Sequence, residues 1–345
     1  MRPLLPIPPD IVTLAHHQEG LVSKAQCDAA GLSRQRVARL IEQRRWRRAT
    51  SGVYDTDGVL PHQRRRDDFH DHLRRRTAWV GLLAFTGAIA VGACSLALHR
   101  VQGLPQVLVP EVALPGGAHR RGRDGILVRQ YRTFPTSRIG PRLVARIDHA
   151  LAQALPGMSR EQGVAVLSST LNRSLLDAAQ LSQVHTLLRG CRGAESVHGW
   201  FDLAEVGDES PAESSARLSC IDNGVPPDDT QVVFTLRGRF LARVDLAWLL
   251  PDGRWLVVEI DGLGPHGRPE ALVKDSLRQN GLLGTDRIIL LRFRPAENAR
   301  PGGIGAVVAQ HLARLGWISG QQVTRGLKID LPEARQRPRS GSRTS

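Results

Sequence analysis

Lysine and cysteine are scarce in this sequence. Only Lys24, Lys274 and Lys328 are lysines, so nearly all of the positive charge is arginine. The four cysteines, Cys27, Cys94, Cys191 and Cys220, stand far apart without a Cys-x-x-Cys pair. That excludes a zinc knuckle or a disulfide framework and fits a reducing compartment, so a cytoplasmic protein is expected. The stretch Met1-Arg-Pro-Leu-Leu-Pro-Ile-Pro-Pro9 puts proline where an export signal needs an apolar helix, so no export signal is expected. The loop Pro115 to Gly125 is glycine-rich and basic but has no Gly-Lys-Ser/Thr, which excludes a P-loop; it reads as the tip of a hairpin between strands Val107 to Leu114 and Ile126 to Arg132. Thr77 to Leu98 carries no charge and follows Arg74-Arg-Arg76, the length and flank of a membrane span. Gly81, Gly87 and Gly92 interrupt it, and Thr86-Gly87 reads as a break between two buried helices, so no membrane association is expected.

What is present is an ordinary globular composition with an unusual charge. The 345 residues are enough for two or three domains with real cores, and 41% hydrophobic with 23% charged residues is typical of a folded chain. The net charge of +14 favours an acidic polymer as partner, nucleic acid before membrane, although a GC-rich genome would also favour arginine.

Residues 10–58 read as a winged helix-turn-helix. Helices Ile11 to Gln18 and Ser23 to Ala30 precede the turn Gly31-Leu32, and Ser33 caps a third helix, Arg34 to Gln43. Val37, Leu40 and Ile41 form its core face, leaving Arg34, Gln35 and Arg39 outward, residue types that suit phosphates and base edges in a major groove. A wing follows, with Arg45, Arg47 and Arg48 placed to grip the backbone of double-stranded DNA. From Leu21-Val-Ser-Lys-Ala-Gln through Gly31-Leu-Ser-Arg to Gly52-Val-Tyr54, this segment resembles the N-terminal domain of abortive-infection type antitoxins.

Residues 62–189 read as a mostly helical scaffold. It opens with a charged helix, His62 to Arg76, whose aspartates and arginines pair along a solvated face, and Arg142 to Leu155, Arg160 to Leu167 and Leu175 to Leu188 have helical periodicity. Gly190 to Gly207 is a connector, and residues 333–345 form a basic, serine-rich tail expected to be disordered.

The chemistry concentrates in Arg243 to Asp261. Two strand-like runs flank Pro251-Asp252-Gly253, a hairpin turn. Alternation sends Glu259 and Asp261 to one face with Asp245, and Val244, Leu246, Trp248, Leu256, Val258 and Ile260 to the other. Three carboxylates crowded together resist ionising, a conflict that a divalent cation would relieve. Glu213, in Ser210-Pro-Ala-Glu213, reads equally as a fourth acidic ligand or as the glutamate of a capping box.

Asp245, a turn and Glu259-Ile-Asp261, followed by Asp261-Gly262, His266, Asp275-Ser-Leu-Arg278 and the strand Ile288 to Phe293, resemble the very-short-patch-repair-like branch of the PD-(D/E)XK nucleases over residues 210–295. The resemblance implies an α/β restriction-endonuclease-like domain over 208–318. It implies Mg²⁺ held by Asp245, Glu259 and Asp261, catalytic roles for these with His266 and Glu213, and a phosphate contact at Arg278. The chain departs from the superfamily at Asp261, where a lysine is usual; Lys274 or Arg243 would have to supply that cation. The expectation is therefore an α+β multidomain protein, winged helix-turn-helix first and nuclease-like domain last, that binds DNA and cleaves phosphodiesters with Mg²⁺, with a homodimer allowed. The alternative is a non-enzymatic regulator of the antitoxin type that keeps a degenerate nuclease fold.

Overall fold

A computed structural model describes residues 6–64, 66–131, 133–261, 286–320 and 328–331. The chain is of the α+β class and divides into two compact units, Met1–Ala204 and Glu205–Ser345, within the glycine-rich connector.

The first unit begins with three short helices, α1 (Pro9–His17), α2 (Lys24–Ala29) and α3 (Arg34–Glu42). Strand β1 (Leu21–Ser23) precedes α2, and β2 (Arg47–Thr50) and β3 (Val53–Asp55) follow α3. The strands form an antiparallel sheet in the order β1-β3-β2. Local chemistry sets the boundaries. Ser23 and Gln26 make a reciprocal capping box at α2, and the Ser33 hydroxyl accepts the Arg36 N–H at α3. Ile11, Val22, Leu32, Val37, Leu40 and Trp46 share one buried cluster, which turns the opposite side of α3 outward.

Helix α4 (Phe69–Ala84) is the spine of this unit. It packs Ala78, Trp79 and Leu82 with Leu21 and Val53 of the small sheet and with Val112 and Val144 of a second sheet. Of the charged stretch His62 to Arg76, expected as a separate solvated helix, only Phe69 to Arg76 belongs to α4, as its first half, and there His72, Arg75 and Arg76 are buried. His72 and Arg75 bind Glu19, while Arg76 Nη2 lies 2.7 Å from the Asp55 carboxylate. The reason is tertiary: Glu19 and Asp55 stand at the ends of β1 and β3, where α4 crosses, and a buried carboxylate must be matched by a cation.

The predicted break at Thr86-Gly87 is present, with α4 ending at Ala84 and α5 (Gly92–Leu98) following strand β4 (Ile89–Ala90). Among the described residues no helix is long and apolar enough to cross a membrane. Strands β5 (Glu111–Ala113) and β6 (Leu127–Arg129) pair parallel, so Pro115 to Gly125 is a crossover and not a hairpin tip. It is also anchored, since Asp124 accepts bonds from the Thr50 hydroxyl (2.6 Å) and the Ser51 N–H (3.0 Å). Strands β7 (Thr136–Ile139) and β8 (Arg142–Ala145) complete a five-stranded sheet, β6-β5-β4-β8-β7. Arg142–Ala145 was expected to begin a helix; pairing with β7 and β4 makes it a strand, and α6 runs Ile147–Ala154. Helices α7 (Arg160–Asn172) and α8 (Ala178–Leu187) follow, each opened by a capping box.

The second unit is a five-stranded mixed sheet in the order β12-β11-β10-β9-β13. Strands β9 (Asp229–Leu236), β10 (Arg239–Leu249) and β11 (Trp255–Ile260) are an antiparallel meander, while β12 (Ile288–Phe293) and β13 (Lys328–Leu331) join the two edges in parallel. Helices α9 (Pro211–Asp222) and α10 (Gly303–Arg314) cover one face through Ala216, Cys220, Ile304, Val308 and Leu312. The predicted hairpin turn forms with Gly253 at φ +79°, a left-handed conformation that glycine adopts without strain.

Candidate functional site

The site of the second unit is built at the start of α9 and in the middle of the meander. Ser210 caps α9 by accepting the Glu213 N–H at 3.2 Å, and Pro211 follows with its φ already helical. In a full capping box Glu213 would return to the Ser210 N–H. Instead it accepts from the Glu209 N–H (2.9 Å) and the Ser210 hydroxyl (2.7 Å), and its Oε2 also accepts from Gln231 Nε2 at 3.0 Å. Gln231 reaches onward to Asp245 Oδ1 at 3.4 Å. Glu213 is thus both a helix-capping residue and a member of an acidic cluster. Burial, then the neighbouring charges of Asp245 and Glu209, outweigh its hydrogen bonds and push its carboxyl up to about 7.

Asp245 lies where the strand pattern breaks. The pairing Leu246↔Val258 continued by one residue sets Asp245 opposite Glu259, and Asp245 Oδ2 accepts the Ile260 N–H at 2.7 Å. Val244 was expected on the same face as Leu246 and Trp248. It packs instead with Val232, Phe234 and Val257 on the face away from α9 and α10, while Leu246 and Trp248 pack beneath those helices. Beside this switch Gln231 of β9 has φ +53°, a left-handed residue within a strand, which breaks simple alternation.

Glu259 is buried and Asp261 is partly exposed, and both face Arg292 of β12. Glu259 and Arg292 are register partners in the parallel pairing of β11 with β12. Arg292 Nε stands 3.3 Å from Glu259 Oε2 and its Nη2 2.9 Å from Asp261 Oδ1. The carboxylates are therefore divided: Glu213 and Asp245 meet through Gln231, and Glu259 and Asp261 meet through Arg292. Sequence reasoning did not find Gln231 or Arg292. Arg292 left a signal, being the one charged residue in the apolar run Ile288 to Phe293. Gln231 left none.

Arg243, considered above as a substitute for the missing lysine, is bonded to Glu209 at 2.7 Å. His266, Lys274, Asp275 and Arg278 lie outside the described residues. Among the described residues no three His, Cys, Asp or Glu side chains converge closely enough to hold a metal. A hard cation such as Mg²⁺ needs only one or two protein carboxylates, because it keeps several waters. Glu213 and Asp245, joined through Gln231, are such a pair. Glu259 and Asp261 already have Arg292. The donor set thus fits a divalent cation on the Glu213 and Asp245 side.

In the first unit α3 and the β2 hairpin position a second set of residues. Arg34, Gln35 and Arg39 are exposed on α3, opposite buried Val37 and Leu40. Arg45, Arg47 and Arg48 are exposed in and before β2, and Arg47 Nη1 donates to the Gly58 carbonyl at 3.0 Å. No carboxylate pairs with any of these five arginines among the described residues, so their charge is available to an anionic partner.

No protein-family model matches the chain. Two uncharacterized proteins of Mycobacterium tuberculosis are similar to it, MT2308 of strain CDC 1551 / Oshkosh and Rv2248 of strain H37Rv. Each is 27% identical over 201 residues, which cover 58% of this chain and 73% of the relative.

Proposed function

We propose that this protein binds double-stranded DNA through its N-terminal segment and hydrolyses phosphodiesters in its second unit with Mg²⁺. On this reading α1 to β3 are a winged helix-turn-helix with α3 as recognition helix, and β9 to β12 with α9 are a PD-(D/E)XK-type core. The observation that carries the reading is the meeting of Glu213 from a helix start with Asp245, itself the cross-strand neighbour of Glu259, in a sheet whose next strand is parallel. Glu213 and Asp245 would hold the cation, with Glu259 and Asp261 beside them. When bound, such an ion polarises the phosphate and lowers the pKa of a water. Binding the ion would displace the proton that Glu213, its carboxyl pushed up to about 7, holds below that pH.

Incubation of the purified protein with supercoiled and with mismatched DNA in Mg²⁺ tests the reading. The expected result is cleavage that needs the metal and is lost in Asp245→Ala and Glu259→Ala. Cleavage undiminished in either variant would remove the proposed centre.

A second reading is a regulator of the antitoxin type that retains the fold as a binding platform. Arg292 favours it, because a guanidinium across Glu259 and Asp261 already supplies the positive charge that the superfamily's lysine and metal would bring. The two readings part on metal binding. The nuclease is expected to gain thermal stability with Mg²⁺ or Mn²⁺, and the platform is not.

A further inference from the structure

The first unit contains a cleft of ≈ 620 Å³ that neither proposed site uses. Helix α1 forms one side, and α4 with the segment before it forms the other. The buried ion pairs of α4 lie along it. Among them His72 is 1% exposed and lines the cleft; its Nδ1 bonds the Glu19 carboxylate, while its Nε2 is buried with no hydrogen-bond partner among the described residues. Burial alone would favour a neutral Glu19, but the bonds from His72 and Arg75 prevail and hold it ionised. Nδ1 therefore carries a proton toward Glu19, and Nε2 is left without a partner among the described residues. A buried polar atom without a partner is costly, and this one sits on a side chain that lines a cleft.

A smaller cleft of ≈ 180 Å³ adjoins, sharing Asp68, Arg75 and Arg100 with the first. Most arginines around the two are matched: Arg64 with Asp55, Arg66 with Asp68, Arg74 with Asp71, and Arg75 with Glu19. Arg100, which lines both clefts, and Arg173, which lines the smaller, have no side-chain hydrogen bond or ion pair among the described residues. The larger cleft also has an apolar edge at Val12, which is exposed, and Ile7, which is half-buried. Uncompensated cations, an orphaned ring nitrogen and an apolar edge together are the features of a site for an amphipathic anion.

We propose that these two adjoining clefts together bind a small organic anion, its charged group on Arg100 and Arg173 and its apolar body toward Val12 and Ile7. The proposal is independent of the nuclease reading and concerns a different unit. Thermal unfolding of the full chain tests it with AMP and benzoate as anions, adenosine and benzyl alcohol as their neutral counterparts, and inorganic phosphate. At least one organic anion is expected to raise the unfolding midpoint saturably, by about 5 °C at large excess, with no such rise from its neutral counterpart and a smaller one from phosphate. Arg100→Ala/Arg173→Ala removes no internal bond and is expected to keep the fold and weaken binding at least tenfold. No rise with either anion, an equal rise with the neutral counterpart or with phosphate, or undiminished affinity in the double arginine variant would each overturn the proposal.

Discussion

Glu213 concentrates several demands on one carboxyl group. It closes the first turn of α9, it shares Gln231 with Asp245, and it is partly withdrawn from water. Its folded-state carboxyl titrates near 7 against an ordinary value of 4.5. The sign of the linkage follows. Between those two values the folded chain holds a proton that the unfolded chain releases, so this group's stabilising contribution is full below pH 4.5 and is lost as pH rises through about 7. Glu213→Gln keeps the acceptor for the Glu209 N–H and removes the charge. The variant is expected to match wild type at pH 4 and to exceed it at pH 8 by about 1–2 kcal/mol, a figure reduced for solvent screening at a partly exposed site. Chemical denaturation at the two pH values measures this. A variant less stable than wild type at pH 8 would show that the cap bond outweighs the charge conflict.

Between elements of the second unit, α10 comes close to α9. Gly305 of α10 leaves no room for a side chain: a Cβ there would fall 2.0 Å from the backbone oxygen of Ser219. Gly→Ala inside a helix ordinarily gains about 1 kcal/mol. Here the obstacle is main chain, which cannot rotate aside, so Gly305→Ala is expected to destabilise the chain by about 1–3 kcal/mol. A rise in denaturation midpoint would mean that α10 can slide. The same elements mark what the sequence makes legible. Caps at Ser33 and Ser210, the turn at Gly253 and the outward face of α3 depend on residues a few positions apart, and they form where local chemistry puts them. What depends on distant partners was not legible. Arg75 and Arg76 read as solvated until α4 is seen to cross Glu19 and Asp55. Val244 and Leu246 share a parity but pack in different clusters, beside a left-handed Gln231 that no pattern announces. Within the candidate site the carboxylates could be listed in advance, but their division between Gln231 and Arg292 could not. That division is a property of register with β9 and β12.

At the scale of the whole molecule, the charge of +14 is already net of arginines such as Arg64, Arg74, Arg75, Arg76 and Arg217, which internal carboxylates take up, so the excess a partner would meet lies on other residues. The arginines on α3 and around β2 are different: Arg34, Arg39, Arg45, Arg47 and Arg48 are exposed and unmatched by carboxylates among the described residues. If these five grip DNA phosphates, the logarithm of the binding constant should fall with the logarithm of salt concentration at a slope of about −4 to −5, near −0.9 for each phosphate neutralised. Arg45→Ala/Arg47→Ala is expected to flatten that slope by about 2 and to weaken all sequences alike. Gln35→Ala, on the exposed face of α3, is expected to leave the slope intact and to change sequence preference, since an amide reads base edges and carries no charge. Fluorescence anisotropy on duplexes across a salt series separates the two effects. A slope unchanged by the double arginine variant would take the β2 hairpin out of the interface and assign the salt dependence to other arginines of the chain.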